Sequence, residues 1–496
     1  MGAETSQVYK SPYGEYRIIV DDAGRKYRVG EDVKGITKRV GVGQGRTVLL
    51  WGAWMCFFFG SVIEYGWGVA SSTVIAYYGW NYSLAFFNYT IYVLFEATVI
   101  AYIYSLLREK GLISPRRTML IAVPLVAVCY YFLAHSFSPW ISYAGYAAVG
   151  GFGSGAGYAT GGHVVSKWFP DKRGWRMGFA DGAWAYGSVP FIIYYSFYFH
   201  TNDFIPILYA TGIILAIGLF VASFLVCDPP KYWWPKDVDP VAARRGKLKS
   251  RELKNNPPAV AQFETREFWA SRAGNALIIA FALGLSASLF NVGFYAPFGA
   301  AMGFSGTILF AVGAAGFAFT DGIGRPSMGF VSNIIGRRKM FYIAYLIMGL
   351  GGLATLYAGE IHDAMLWAFF AVLSGAVSGA CFVFALLIAT DYYGENNAAK
   401  NWSSNYVFKV IGGAFAGIVA AAILTATNNW PLVFYLGAGF SLIGAFLIWA
   451  FVKQPTEEEY ARIRQKLNRP VPPEILNKIT ASRTASHTDR VEGGDE

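Results

Sequence analysis

The sequence predicts an all-α membrane protein with twelve transmembrane helices in two six-helix bundles. Hydrophobic residues make up 55% of the 496-residue chain and charged residues only 15%, whereas a typical soluble domain is about one quarter charged. Twelve apolar stretches have about the 20 residues that a helix needs to cross the hydrocarbon core of a bilayer. One polar, basic connector divides these stretches six and six. The lipid bilayer is therefore the main solvent of this chain.

The twelve predicted spans end at charged or Gly/Pro-rich segments. In the first half of the chain they are 47–75, 83–107, 118–136, 140–165, 175–199 and 205–227. In the second half they are 271–298, 305–331, 340–358, 365–390, 402–426 and 431–452. The predicted domains are an N-terminal tail (1–46), a first bundle (47–227), a connector (228–270), a second bundle (271–452) and a C-terminal tail (453–496).

The connecting loops predict the orientation of the chain in the membrane. Alternate loops (AYYGWNY, AHSFSPW, FHTNDFIP, GAAMGFS, AGEIHDA and TATNNWP) contain no Lys or Arg, whereas the others carry LLREKGLISPRR, KWFPDKRGWR and IIGRRK. Basic residues near helix ends are retained on the cytoplasmic side. The first 46 residues also lack the apolar core of a cleavable signal peptide. We therefore expect a multi-pass protein of the plasma (inner) membrane with both termini in the cytoplasm.

Composition and motifs exclude several classes of function. The net charge of +10 comes from basic connecting segments, so it reflects topology and predicts no nucleic-acid partner. The four cysteines lie in or beside apolar stretches without paired spacing, which argues against disulfides and zinc sites. The chain contains no nucleophile elbow, Walker loop or phosphate-binding glycine cradle. We expect neither an enzyme nor an ATP-driven pump, and no cofactor or metal.

Both tails contain local signals. YRIIVDDAGRKYRV has two β-prone runs around the turn-forming DDAG, which predicts a small hairpin in the N-terminal tail. A solvated tail is the simpler interpretation, and a gating or partner-binding element is the alternative. At the other end, TEEEYARIRQKLNR is typical of a charged surface helix, and the Ser/Thr/Asp-rich finish is typical of disorder.

Charged residues inside the predicted helices are the candidate functional groups. A charge near the middle of a membrane helix costs roughly 2.5 to 3.5 kcal/mol on insertion scales, so each one needs a partner or a function. The residues of this kind are Glu64, Glu96, Asp181, Asp321, Arg325 and Lys409. We interpret Glu96 and Asp181 as structural, because nothing near them in the sequence supplies a cavity.

Arg325 and Lys409 are the candidate anchors for an anionic substrate. Asp321 and Arg325 lie four residues apart and share one helix face, so they can form an ion pair; a purely structural pair is the alternative. Arg325 and Lys409 lie at similar depths, roughly 10 to 15 Å from the helix ends at the helical rise. Two cations with one partner carboxylate predict a surplus of positive charge, whose complement is a small anion.

Glu64 is the candidate proton carrier. It lies in IEYGWGV, where Tyr65 and Trp67 add aromatic groups with polar tips. A carboxylate that shares a dry cavity with a bound anion tends to take up a proton, and it can carry that proton with the substrate. The alternative is that Glu64 pairs with Arg325 or Lys409 and stays ionised.

The histidines are weaker candidates. His135 and His200 fall at predicted outer helix ends and are interpreted as interfacial. His163 precedes the KWFPDKRG loop, where a helix-terminal hydrogen bond is a simpler role than a proton relay.

Three segments of the chain carry a resemblance to a known family: KWFPDKRG (167–174), TDGIGRPSMGFVSNIIGRR (320–338) and DYYGENNAAKNWSSNYVFKVIGG (391–413). They resemble the major facilitator superfamily, in its oxalate/formate antiporter and monocarboxylate transporter branch, and the resemblance covers about 47–452. It implies two bundles that rock about a central site. It also implies that Arg325 and Lys409 bind a substrate carboxylate, with Asp321 as the proton- or charge-switching partner.

The resemblance further implies a cavity lined from the first helix by Glu64 and Tyr65, with Trp67 beside them. Loop 2–3 (REKGLISPRR) is a loose version of the superfamily pattern, and an acid at Glu64 favours proton symport over pure dianion exchange. The residues that the resemblance assigns to gating loops are Arg116, Arg117, Asp171, Lys172, Arg173, Arg337 and Arg338.

Several functions remain open at this point. The leading hypothesis is a carrier that takes up a monocarboxylate with a proton; exchange of oxalate or another dicarboxylate for formate competes with it. The partners would be a small organic anion, a proton or counter-carboxylate, and the lipid bilayer. A transport-inactive membrane sensor is a third hypothesis, and a carrier of neutral or cationic compounds is a fourth.

Overall fold

The computed structural model describes residues 7–11, 14–20, 26–30, 45–100, 103–104, 106–107, 112–169, 173–229, 234–235, 255–257, 259–394 and 397–481. These residues form a bundle of twelve long helices, numbered 1 to 12 along the chain. We call the side that carries the connector (228–270) the connector side, and the opposite one the far side.

Six helices come from each half of the chain, as predicted. Helix 1 comprises Arg46–Gly60, Val62–Tyr65 and Trp67–Tyr78. Helix 2 contains Tyr82–Val93 and Leu94–Ile100, and helix 3 is Pro115–Ala134. Helix 4 consists of Pro139–Ile141, Ser142–Ala148 and Val149–Trp168. Helix 5 consists of Arg173–Tyr186 and Val189–Tyr198, and helix 6 is Phe204–Leu225.

The second half of the chain has the same number of helices. Helix 7 is Arg272–Ala301, helix 8 is Ile308–Ile335 and helix 9 is Arg337–Glu360. Helix 10 comprises Ala364–Ser378 and Ala380–Asp391. Helix 11 consists of Ala398–Tyr406, Lys409–Ala414, Phe415–Ala420 and Ala421–Thr427, and helix 12 is Trp430–Phe451.

Length and hydropathy support a membrane location. Within the described residues, nine helical stretches are long and apolar enough to cross a bilayer. Helices 2, 4 and 5 are the remaining three, and they contain Glu96, a Gly-rich run and Asp181, respectively. A charged residue or a run of glycines lowers the mean hydropathy of these three helices.

Four helices are interrupted at the centre of the molecule. Helix 1 bends at Gly60–Ser61 and again at Gly66, helix 5 at 187–188, helix 10 at Gly379, and helix 11 at 407–408. Backbone irregularity at membrane depth is tolerated where the backbone is buried in protein or lines a cavity. These interruptions therefore mark the middle of the bundle as the place where a site can form.

Glycines allow the two bundles to approach each other closely. A Cβ atom on Gly68 of helix 1 would lie 2.6 Å from the Val292 carbonyl oxygen of helix 7, and one on Gly182 of helix 5 would lie 2.5 Å from the Gly322 oxygen of helix 8. Small residues of this kind let membrane helices pack backbone to backbone. The bundles are in direct contact around the centre as a result.

The bundles also contact each other on the far side. Phe86 of helix 2 stacks on Phe294 of helix 7 with ring centroids 4.0 Å apart. Nearer the loops, the Ser83 hydroxyl donates to the Thr425 hydroxyl at 2.9 Å. In this arrangement the far side is closed over the centre of the molecule.

The N-terminal tail contains a three-stranded antiparallel sheet in the order β1 (Gln7–Ser11), β2 (Gly14–Val20), β3 (Lys26–Gly30). The predicted hairpin corresponds to β2 and β3 and is confirmed by their register, in which Ile18 pairs with Arg28. Its turn lies outside the described residues. The sequence did not predict β1.

The predicted charged helix of the C-terminal tail is confirmed at Glu457–Lys466, but one face of it is buried. Tyr460 packs on Phe263 with ring centroids 4.7 Å apart, and Arg464 lies 3.0 Å from Glu267. The tail is therefore attached to the segment that precedes helix 7. The Ser/Thr/Asp-rich finish, predicted to be disordered, lies outside the described residues.

Candidate functional site

Six charged side chains inside the membrane helices meet at the centre of the molecule. Each has a relative exposure of 8% or less. They form two neighbouring clusters, one around Lys409 and one around Arg325. Both clusters join the first bundle to the second. The residues are Glu64, Glu96, Asp181, Asp321, Arg325 and Lys409.

The first cluster is built on Lys409. Its Nζ lies 3.0 Å from Glu64 Oε2 and 2.9 Å from Glu96 Oε2. Two aromatic side chains donate hydrogen bonds to these carboxylates. Trp184 Nε1 donates to Glu64 Oε2 at 2.9 Å, and the Tyr406 hydroxyl donates to Glu96 Oε1 at 3.1 Å. One ammonium of the second bundle is thus held by two carboxylates of the first.

The second cluster is built on Arg325. Its Nη1 lies 2.9 Å from Asp181 Oδ2 and donates to the Asp181 carbonyl oxygen at 3.2 Å. Its Nε lies 3.4 Å from Asp321 Oδ1, four residues earlier on helix 8. Tyr65 bridges the pair, because Arg325 Nη2 donates to the Tyr65 oxygen at 2.9 Å and the Tyr65 hydroxyl donates to Asp321 Oδ2 at 2.5 Å.

Phe382 of helix 10 links the two clusters. Its ring centroid lies 4.8 Å from Arg325 Cζ and 5.6 Å from Lys409 Nζ. An aromatic face attracts cations without neutralising them. The two cations therefore contact the same ring.

Local breaks in the helices position these groups. Glu64 and Tyr65 are consecutive in the short piece Val62–Tyr65, and successive helical side chains point about 100° apart. Glu64 therefore reaches Lys409, while Tyr65 reaches Asp321 and Arg325. Lys409 is the first residue after the break in helix 11.

Gly379 lets helix 10 approach the Arg325 cluster. A Cβ atom at this position would lie 2.6 Å from Arg325 Cγ and would also collide with Asp321 Oδ1. Any side chain here would displace the ion pair. The requirement for glycine follows from this close approach of backbone to charge.

The charge balance differs from the expectation. The sequence predicted surplus positive charge, and Glu96 and Asp181 were interpreted as structural. The structure instead places four carboxylates against two cations, which gives 2 − 4 = −2 when all six are ionised. The prediction was wrong because Glu96 and Asp181 lie on helices whose rotation the sequence does not reveal.

Other predicted residues have different surroundings. Trp67 packs inside the first bundle, where its ring centroid lies 5.4 Å from that of Tyr146 and 6.3 Å from that of Phe86. His135 Nε2 lies 2.6 Å from the Tyr209 hydroxyl, and the exposed His200 contacts the Phe197 carbonyl oxygen. The role of His163 stays a prediction.

The predicted gating residues are only partly described. Arg337 is buried and ion-paired with Asp391 at 3.0 Å, and its Nη1 donates to the Gly329 carbonyl oxygen at 3.0 Å. Arg338 is partly buried. The exposed Arg116 lies over the Phe224 ring at 4.6 Å. Arg117 is exposed, Arg173 begins helix 5 but its side chain is outside the described part, and Asp171 and Lys172 lie outside the described residues.

A small cavity adjoins the second cluster on its far side. It has a volume of about 20 Å³ and is lined by residues of helices 1, 5, 7 and 8, among them Tyr65, Asn291 and Tyr295. A water molecule needs about 10–15 Å³ by this measure, so the space holds about one. The predicted site residues did not include Asn291, Phe382, Trp184 or Tyr406, although Tyr406 lies only three residues before Lys409.

Comparisons with known proteins agree with this architecture. The family model of the Major Facilitator Superfamily matches residues 50–320 and 310–485. The oxalate:formate antiporter of Oxalobacter formigenes is 26% identical over 342 residues, 68% of this chain and 76% of that protein. The uncharacterized MFS-type transporter YhjX of Escherichia coli (strain K12) is 21% identical over 288 residues, 58% of this chain and 67% of its own length.

Solved structures show the same fold. A D-xylose-proton symporter superposes with a TM-score of 0.61 at 12% identity, covering 82% of this chain and 97% of the symporter. The inward-open xylose transporter XylE from E. coli gives a TM-score of 0.59 at 12% identity over 85% of this chain and 98% of its own. Since the family model covers most of the sequence, the chain belongs to the Major Facilitator Superfamily and is a membrane transporter rather than an enzyme.

Proposed function

We propose that this transporter carries small carboxylates, and that it moves a monocarboxylate together with a proton by alternating access. The observation that supports this proposal is that the two central cations of the second bundle are held by carboxylates of the first. Lys409 is paired with Glu64 and Glu96, and Arg325 with Asp181. A substrate carboxylate presents the same chemical group and competes for the same cations.

Exchange of partners would couple substrate binding to movement of the bundles. A substrate bound to Arg325 through two parallel hydrogen bonds would replace Asp181, and one bound to Lys409 would replace Glu64 or Glu96. Each replacement removes an ion pair that crosses between the bundles. The bundles are then free to rock about the bound anion.

Carboxylates that lose their cation when the substrate binds would couple transport to protons. An ionised carboxylate left unpaired in a dry interior is strongly disfavoured, and it takes up a proton instead. Entry of one anion would therefore be accompanied by one proton on a residue of the same cluster. Glu64 and Asp321 are the predicted proton carriers, and Glu96 and Asp181 join them because they contact the same cations.

Exchange of oxalate or another dicarboxylate for formate is the second candidate function. Two neighbouring cations beside Phe382 suit a dianion, and one relative is named as an oxalate:formate antiporter. In this case Glu64 would remain ionised, and the incoming anion would replace the outgoing one without a proton.

Uptake into proteoliposomes separates these functions. We would measure labelled lactate, pyruvate, formate and oxalate with and without an inward proton gradient, and with and without internal carboxylate. Accumulation driven by the gradient alone supports symport. Uptake that requires internal carboxylate supports exchange.

Variants of the two cations test the anion site itself. We expect Arg325→Gln and Lys409→Gln to abolish uptake of every carboxylate, whereas Arg462→Gln, an exposed arginine on the C-terminal helix, should leave uptake unchanged. Full carboxylate uptake by either site variant would show that the changed cation does not bind the substrate, whereas absence of carboxylate uptake by the wild-type protein would favour a neutral or cationic substrate.

We also propose that both termini face the cytoplasm, with the protein in the plasma (inner) membrane. The basic connector-side loops support this orientation. A Lys172→Cys variant should resist a membrane-impermeant thiol reagent added to intact cells, whereas Phe137→Cys on the far side, where Phe137 is 83% exposed, should react. The reverse pattern would overturn the orientation.

A further inference from the structure

The cavity beside Tyr65 contains a polar side chain that the ion-pair clusters do not use. Asn291 of helix 7 lines this cavity and is only 4% exposed. Its amide nitrogen has no hydrogen-bond partner among the described residues. Leaving a buried donor without a partner destabilises the folded protein. A group with this penalty at the centre of a transporter points to a ligand or water that satisfies it.

The cavity is directly connected to the candidate carboxylate site. Tyr65 lines it, and the Tyr65 hydroxyl is 2.9 Å from Arg325 Nη2. On helix 8 the lining residues Phe317 and Ala318 lie four and three residues before Asp321, on the far side of the ion pair. Helical side chains lean toward the N-terminus of their helix, so the Arg325 guanidinium leans toward this cavity.

Apart from Asn291, the walls offer few polar contacts. Helix 8 supplies Ala314, Phe317 and Ala318, and helix 7 supplies Val292 and Ala296. The hydroxyl of Tyr295, which also lines the cavity, is directed at Ser374 Oγ at 3.4 Å. The carboxamide of Asn291 is thus the group that would favour a ligand with a polar substituent over a ligand with an apolar one in this cavity.

We propose that Asn291 is a specificity residue whose amide donates a hydrogen bond to an oxygen atom on the carbon next to the substrate carboxylate. This inference rests on the proposed carboxylate transport: the carboxylate binds at Arg325, and the rest of the substrate extends into the cavity as the bundles separate. A 2-oxo acid, a 2-hydroxy acid or oxalate presents an oxygen to the Asn291 amide. An unsubstituted aliphatic acid leaves the amide unpaired.

The size of the effect follows from the unpaired amide. A site that is built to hydrogen-bond a substrate discriminates strongly against an analogue that lacks the group. One hydrogen bond of about 1.4 kcal/mol corresponds to a tenfold change in affinity. We expect the wild-type protein to prefer pyruvate over propionate, which has a similar size, by about tenfold or more in half-saturation.

Competition assays on the full-length protein in proteoliposomes test this inference. Unlabelled pyruvate or propionate would compete with uptake of a labelled carboxylate that the protein transports. Asn291→Leu should bring the pyruvate/propionate ratio close to one, mainly by weakening pyruvate. Asn291→Ser, which is smaller and keeps a polar group, should give an intermediate ratio. Asn275→Leu, an exposed position on the same helix, should leave the ratio unchanged.

The outcomes separate this inference from the proposed function. A wild-type ratio near one, or an unchanged ratio in both Asn291 variants, overturns the role of Asn291, while loss of all carboxylate uptake in Arg325→Gln still supports the carrier. Absence of carboxylate uptake by the wild-type protein would instead overturn the proposed function, and full carboxylate uptake by Arg325→Gln would overturn the binding of the carboxylate at Arg325. Elution of each variant as a single peak in detergent confirms that it is folded.

Discussion

The ammonium of Lys409 lies 2.9 Å from the carboxylate of Glu96, although the two residues are 313 positions apart in the chain. Glu64 completes the arrangement from a third helix at 3.0 Å. The same cation therefore ties helices 1 and 2 of the first bundle to helix 11 of the second. Changes at this point should affect both the stability and the movement of the protein.

Removal of the lysine charge should destabilise the fold. We expect Lys409→Gln to lower the free energy of unfolding by about 3–5 kcal/mol, because two buried carboxylates lose their cation. The triple variant Lys409→Gln/Glu64→Gln/Glu96→Gln should recover part of that loss, since it leaves no uncompensated charge in the cluster. Thermal melting in detergent, followed by tryptophan fluorescence, measures both. A triple variant less stable than the single one would contradict this account.

Neutralisation of Glu64 should separate proton coupling from substrate exchange. We expect Glu64→Gln to reduce accumulation driven by a proton gradient about tenfold or more, because the residue no longer takes up a proton. Exchange against internal carboxylate should continue. The readout is uptake with each driving force in the same proteoliposomes, and Glu474→Gln at an exposed position of the C-terminal tail is the control. Equal loss of both activities would assign Glu64 a structural role.

Loss of the Tyr65 hydroxyl should weaken the second cluster without removing a charge. The hydroxyl contacts both Asp321 and Arg325, and hydrogen bonds to charged groups are worth about 1.5–3 kcal/mol. We expect Tyr65→Phe to raise the half-saturation concentration of the substrate about tenfold. Tyr357→Phe, at a position 59% exposed, should behave as wild type. An unchanged half-saturation in Tyr65→Phe would show that the bridge does not orient Arg325 for binding.

A methyl group at Gly379 should be enough to disturb the site. Its Cβ atom would lie 2.6 Å from Arg325 Cγ, so either helix 10 or the ion pair has to shift. We expect Gly379→Ala to be expressed but to lose most transport. Gly439→Ala on helix 12, where a Cβ atom meets nothing within 4 Å, is the matched control. Normal transport by Gly379→Ala would mean that the Asp321–Arg325 geometry tolerates displacement.

The contact between the C-terminal tail and the segment that precedes helix 7 should contribute to stability but not to transport. Glu267 is fully buried and pairs with Arg464 at 3.0 Å and Arg469 at 3.3 Å. We expect Glu267→Gln to lower the melting temperature, because two arginines lose the negative charge of their buried partner. Uptake by the variant, measured below its melting temperature, should match that of the wild type. A transport defect with unchanged stability would instead indicate a regulatory role for the tail.

Local properties of the sequence determined the membrane architecture. The twelve spans, the connector and the six buried charges could be predicted because hydropathy, helix length and the insertion cost of a charge act on each segment separately. The β2–β3 hairpin and the helix Glu457–Lys466 were predictable for the same reason, since turn residues and charge spacing are short-range signals.

Tertiary structure decided which charges meet. Glu96 and Asp181 could not be assigned from the sequence, because the rotation of a membrane helix is set by packing against its neighbours. Pairing across 313 positions leaves no local signal. The excess of carboxylates over cations, the close approach of Gly379 and the unpaired Asn291 amide likewise exist only once the two bundles are brought together.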